Sequence, residues 1–178
     1  MAMLLFMNEI VTVSEQPGGL KDEVAEGTSV FMVIVDDSPE AAKALRYACN
    51  RARNRRGRVA LLRVIEPINF GHFLTINDRA AAEAETEARD LLKTLQPHVQ
   101  DLSGADPIFF IEHGEVQPTV VKTLADHPEV SIFVLAAAEG SNPGPLVGAL
   151  ANKIINQVNV PVVVVPGGLT EEQIDAIS

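Results

Sequence analysis

Gly140, Ser141, Gly144 and Gly148 stand in the stretch EGSNPGPLVGA, between a short apolar run, Ile132 to Leu135, and a segment whose apolar residues Val147, Leu150, Ala151, Ile154 and Ile155 recur at helical spacing. Small residues there leave backbone N–H groups bare and add one hydroxyl just ahead of a helix N-terminus, where aligned peptide dipoles favour an anion. Such a loop can cradle a phosphate. It can equally be a tight strand-to-helix connection that needs small side chains, and the stretch alone does not choose between the two. Ala136 and its neighbours let the chain leave a buried strand without a bulky side chain at its mouth. The second candidate is Asp36, a carboxylate that ends the apolar run VFMVIV at Val35. Its role is either that of a hydrogen-bond acceptor for a ligand or of a solvated strand end beside Ser38.

No other constellation announces a reaction. The chain contains no G-x-x-x-x-G-K-[ST], no G-x-S-x-G and no H-E-x-x-H. His72, His98, His113 and His127 are scattered, and only His113 falls at the mouth of a strand. Glu112 and His113, being adjacent on a strand, point to opposite faces and make a poor metal pair. Cys49 cannot form an internal disulfide and reads as a small core side chain. Arg51, Arg53, Arg55, Arg56 and Arg58 crowd a helix end, where cations complement the dipole; no interleaved aromatics accompany them as in an RNA-binding surface.

The elements that must position these residues follow from apolar periodicity. Val30 to Val35 is a continuous apolar run of the kind buried on both faces in a parallel sheet. Ser38 as N-cap and Pro39 in the first turn predict a helix to Asn54 with Ala41, Leu45, Ala48 and Ala52 on its buried face. Val59 to Ile65 is the second strand. A helix from near Asn77 to near Gln100 then carries Ala80, Ala81, Ala84, Ala88, Leu91, Leu92 and Leu95 as its stripe. Pro107 to Glu112 is the third strand, Gly114 turns the chain into a helix with Val120, Val121 and Leu124, and Pro161 to Val165 closes a βαβαβαβαβ order. Thr170 to Gln173, TEEQ, is a capping box for a short terminal helix with Ile174 and Ile177 that clasps the surface. This alternation predicts a doubly wound parallel sheet with helices on both faces, and ligands in such sheets gather at the carboxyl ends of strands where the winding reverses. Asp36 and the glycine loop both lie at such ends.

At 178 residues and 47% apolar composition, one core is expected. Residues 1–28 read as an N-terminal extension broken by Pro17, Gly18 and Gly19, residues 29–167 as the domain, and 168–178 as the short C-terminal helix. The net charge of −10 argues against non-specific attraction to nucleic acid or an anionic membrane. MAMLLFMNEIV is too short to span a bilayer and has no basic flank, so no secretion signal or membrane helix is read, and a cytoplasmic protein is expected.

VIVDDSPEAAKALRYA, LLRVIEP, Gly114 before a helix, and the ending PVVVVP together resemble the universal stress protein family over about Val30 to Pro166. The resemblance implies a five-stranded sheet in the order 3-2-1-4-5, the adenine nucleotide alpha hydrolase-like fold. It implies a family in which some members hold ATP and some do not. In the ATP-holding members the fourth strand is followed by a glycine, two residues, a glycine, nine residues, then glycine with serine or threonine. Here Gly148 matches the last glycine, Ala149 stands in place of the hydroxyl, Ala136 in place of the first glycine, and Glu139 falls near the second, where it would repel a phosphate; the loop is about one residue short. Asp36 matches the aspartate that accepts from the adenine amino group, and Val64 an apolar wall for the base. The expected lining is therefore Val35, Asp36, Val64, Ala136, Gly140, Ser141, Gly144, Gly148 and Ala149.

Two functions fit. One is a stress-response module that binds an adenine nucleotide, ATP with magnesium or another, in a weak or altered site, with slow hydrolysis at most. The alternative is a nucleotide-free dimeric stress protein acting through protein contacts. In the implied strand order Val160 to Pro166 is an uncharged β-branched edge bracketed by prolines, and a homodimer through this last strand is expected, as the resemblance also implies.

Overall fold

The computed structural model describes residues 29–67, 74–140, 143–149 and 155–178. The proposed N-terminal extension and the loop through His72 lie outside them, as does Ser141. Five parallel strands, β1 (Val30–Ile34), β2 (Arg58–Ile65), β3 (Ile108–His113), β4 (Val130–Ala137) and β5 (Val162–Pro166), are arranged in the order β3-β2-β1-β4-β5. The winding reverses between β1 and β4, as expected.

Every residue of β1 is buried, which its unbroken apolar run requires of a central strand covered on both sides. Alternate residues feed two cores. Phe31, Val33 and Val35 join Leu61 and Val134 beneath α1 (Ala41–Arg55) and α2 (Leu74–Ser103), whereas Met32 and Ile34 join Leu62, Phe133 and Leu135 beneath α3 (Val116–Asp126). Small side chains bring α1 onto the sheet: Ala44, Ala48, Cys49 and Ala52 are sealed from solvent. Burial pushes the Cys49 thiol up to about 12, consistent with a packing role.

Two local expectations are corrected. Ser38 does not cap α1. The helix starts at Ala41 with Glu40 at the N-cap and no side-chain cap, because the Ser38 hydroxyl donates instead to Asp36 Oδ1 at 2.6 Å. A carboxylate is the stronger acceptor partner for that hydroxyl than a helix N–H is a donor to it. The helix over 77–100 extends further at both ends and tolerates Pro97 inside it; Val99 beyond the proline is fully buried, whereas Ala81 of the expected stripe is exposed.

Gly114 makes the turn from β3 into α3 with φ of 142° while its N–H donates to Ile65 O at 3.0 Å. A Cβ there would also sit 2.7 Å from Thr119 Oγ1. At the other end of the chain α5 (Glu171–Ile177) forms the predicted capping box, with Thr170 and Gln173 exchanging bonds of 2.9 and 3.3 Å. It docks on α1 through Ile174, which is fully buried, while Ile177 stays exposed. Arg46 makes two 2.7 Å bonds to the Asp175 carboxylate and Asn50 a third, holding that carboxyl down at about 2.

Candidate functional site

At the reversal between β1 and β4 a cavity of about 820 Å³ opens at the carboxyl ends of the strands. Its size lies within the range of small-molecule sites, roughly 300–1,000 Å³. The sheet contributes Ile34, Val64 and Leu135 to an apolar wall, α3 adds Val116, Pro118 and Val121, and the loop after β4 with α4 (Pro145–Ala149) adds Pro143, Leu146 and Val147. Polar groups converge at the rim: Asp36 and Ser38 after β1, Arg63 and Glu66 at the end of β2, Glu115 and Gln117 at the start of α3.

Asp36 is held by a local turn in which Oδ1 accepts from the Ser38 N–H at 3.1 Å as well as from its hydroxyl. That arrangement fixes the carboxylate at the mouth of the central strand. Arg63 is anchored beside it, donating to Val35 O and to Asp37 Oδ2, both at 3.0 Å.

Of the residues expected from sequence, Val35, Asp36, Val64, Ala136 and Gly144 come together on the cavity wall. Gly140, Gly148 and Ala149 are not on that wall. Gly148 instead donates its N–H to Gly144 O at 2.9 Å within α4, and Gly140 has a φ of 95° beyond the end of β4. Glu139 does not point into the cavity. It faces α1, 3.9 Å from Lys43 Nζ, and Lys43 also donates to Gly167 O. His113 likewise looks to the other face of the sheet, 3.8 Å from Glu85 on α2. The groups not anticipated are Arg63, Glu66, Glu115 and Gln117. A signal for the first was present, since Arg63 interrupts the apolar LLRVI close to a strand's carboxyl end, where a charge has no place in a core. Among the described residues no cluster of three or more His, Cys, Asp or Glu could hold a metal ion, and no helix is long and apolar enough to cross a membrane.

The fold and cleft define a doubly wound α/β domain with a cavity of small-molecule size at its switch point. The chain belongs to the universal stress protein family, whose sequence profile matches residues 28–166. Among solved structures it is similar to universal stress protein UspA from Lactobacillus plantarum, with 21% identity, a TM-score of 0.63, and coverage of 77% of this chain and 97% of the other. It is similar to the universal stress protein from Archaeoglobus fulgidus in complex with dAMP, at 21% identity and TM-score 0.52, covering 77% of this chain and 96% of that one. A universal stress protein family protein from Arabidopsis thaliana with AMP bound matches at 14% identity and TM-score 0.53, over 78% of this chain and 91% of its own. At these identities the likeness is one of fold. No curated protein sequence matches the chain.

Proposed function

We propose that this domain is a stress-response module that binds an adenine nucleotide or nucleoside in the cavity between β1 and β4. The observation that carries the reading is the placement of the Asp36 carboxylate, tethered by Ser38, at the edge of an apolar cleft lined by Ile34, Val64 and Leu135. A flat base needs apolar walls and one or two fixed polar groups for orientation, and this site supplies both. Asp36 Oδ1 is engaged by Ser38, so Oδ2 is the oxygen that would accept from an exocyclic amino group. Adenine nucleotides in two structures of the same fold support the assignment of ligand class. A lone buried cysteine fits a reducing, cytoplasmic setting.

Thermal melting of the protein with millimolar adenosine, AMP or ATP and magnesium tests this directly, because a ligand bound only by the folded state raises the midpoint. The midpoint should rise with at least one of these ligands. Asp36→Ala should weaken binding about ten- to a hundredfold, the loss of one hydrogen bond to a charged group. An unchanged midpoint with every ligand would leave the cavity without this role.

The same module would work as a pair. Phe133 N donates to Pro161 O at 3.0 Å and Gly167 N to Ala137 O at 2.7 Å, so by the alternation of a parallel ladder the odd-numbered residues of β5 bond β4, and Val162 and Val164 turn their backbone groups outward. No charged side chain guards that edge. Antiparallel pairing of two such edges about a two-fold axis gives the homodimer proposed here. Val164→Pro removes an outward N–H and leaves the β4 ladder intact, so light scattering should show a dimer for the parent and a monomer for the variant. A monomeric parent at micromolar concentration would refute the pairing.

A further inference from the structure

The cavity has a charge pattern that discriminates among adenine ligands. Its rim carries the carboxylates of Asp36, Glu40, Glu66 and Glu115, against Arg63 as the one cation among the described lining residues. That guanidinium is already committed to Val35 O and the Asp37 carboxylate. Lys43, the next candidate, is turned out toward Gly167 O and Glu139.

Among the described residues of the loop after β4, two prolines reduce the supply of backbone donors. An anion-binding loop works by pointing successive N–H groups at the ligand. In the loop that bounds this cavity Pro143 and Pro145 have no N–H at all, and Gly144 stands between them with φ of 97°. The carbonyls of Pro143 and Gly144 are turned to the N–H groups of Ala138 and Gly148.

We infer that the cavity selects the adenine nucleoside over its triphosphate, with the monophosphate between them. The inference rests on the adenine-binding reading above and specifies it: base and ribose are met by the apolar wall and Asp36, while each added phosphate charge meets the rim carboxylates. Mutual repulsion of this kind is screened by salt, whereas apolar burial is not.

Calorimetric titration of the full chain with adenosine, AMP and ATP, each with and without magnesium, separates the possibilities. Adenosine should bind about tenfold or more tightly than ATP, equivalent to about 1.4 kcal/mol or more. The ratio should shrink as salt is raised, and should shrink several-fold in the Glu66→Gln, Glu115→Gln double variant. ATP binding as tightly as adenosine, or more tightly, would overturn the selectivity and leave the adenine site standing. Failure of all three ligands to bind would overturn the site and the selectivity together. An adenosine-to-ATP ratio that ignores both salt and the double substitution would remove the electrostatic cause.

Discussion

The two helical layers that cover this sheet differ in kind. On one side α1 lies close against the strands through alanines and Cys49, and α5 is fastened over it by Ile174 and the Arg46–Asp175 pair. On the other side α3 covers β1 and β2 with Val120 and Leu124 buried, the described residues of α4 include no buried one, and the cavity lies beside them. One layer is closely packed and the other borders the cavity. The difference teaches where a binding site can be placed in a two-sided fold: one layer can border a cleft while the opposite layer packs closely on the sheet.

That contrast can be broken most directly by truncating one apolar side chain in each layer. Ile174→Ala, on the closely packed side, should cost about 2–5 kcal/mol in urea unfolding, the range for a fully buried aliphatic side chain. Leu146→Ala, on the half-buried wall of the cavity, should cost about 1.5 kcal/mol or less, because its atoms already border open space. Equal losses would mean that the two layers share the stability evenly. The turn into the layer that borders the cavity is the next target. Gly114→Ala forces a side chain into a positive-φ conformation and toward Thr119, and should destabilise by about 1–3 kcal/mol while disturbing the start of α3, where Glu115 and Val116 line the cavity. Ligand affinity should fall with it, although Gly114 is not on the cavity wall.

The smallest effect is a matter of pH. Asp175 is held at about 2 by its hydrogen bonds to Arg46 and Asn50, against 3.8 for the ordinary carboxyl. A depressed carboxyl stabilises the folded state above its unfolded pKa, and that contribution is lost as pH falls from about 4 toward 2. Asp175→Asn should therefore flatten the acid limb of the stability curve in that window and change little near neutrality beyond the loss of an exposed ion pair. Both proteins should respond alike at the cavity, since α5 packs on the opposite layer. An acid limb of unchanged slope in the variant would show that the clasp does not report through this residue.

Much of the architecture was legible in the chain itself. The five strands coincide with apolar runs and the buried faces of α1, α2 and α3 largely with 3.6-residue spacing, because burial on one or both faces imposes a local period on the sequence; of the stripe expected from Val147 onward, Leu150, Ala151 and Ile154 lie outside the described residues and Ile155 is exposed. The capping box at Thr170 and the turn at Gly114 were visible for the same reason: each is satisfied by residues within a few positions of one another. Asp36 and Ala136 were placed at strand mouths by strand boundaries, and Val64 by the family resemblance. What only the tertiary structure decided is the direction in which loop side chains point. Ser38 bonds Asp36 rather than the helix, Glu139 turns to Lys43 and away from the cavity it was expected to obstruct, and Arg63, Glu66 and Glu115 meet at one rim from three separate segments. Periodicity carries no information on these choices, because a loop side chain is oriented by competing hydrogen-bond and charge partners that arrive from distant parts of the sequence only when the sheet has assembled.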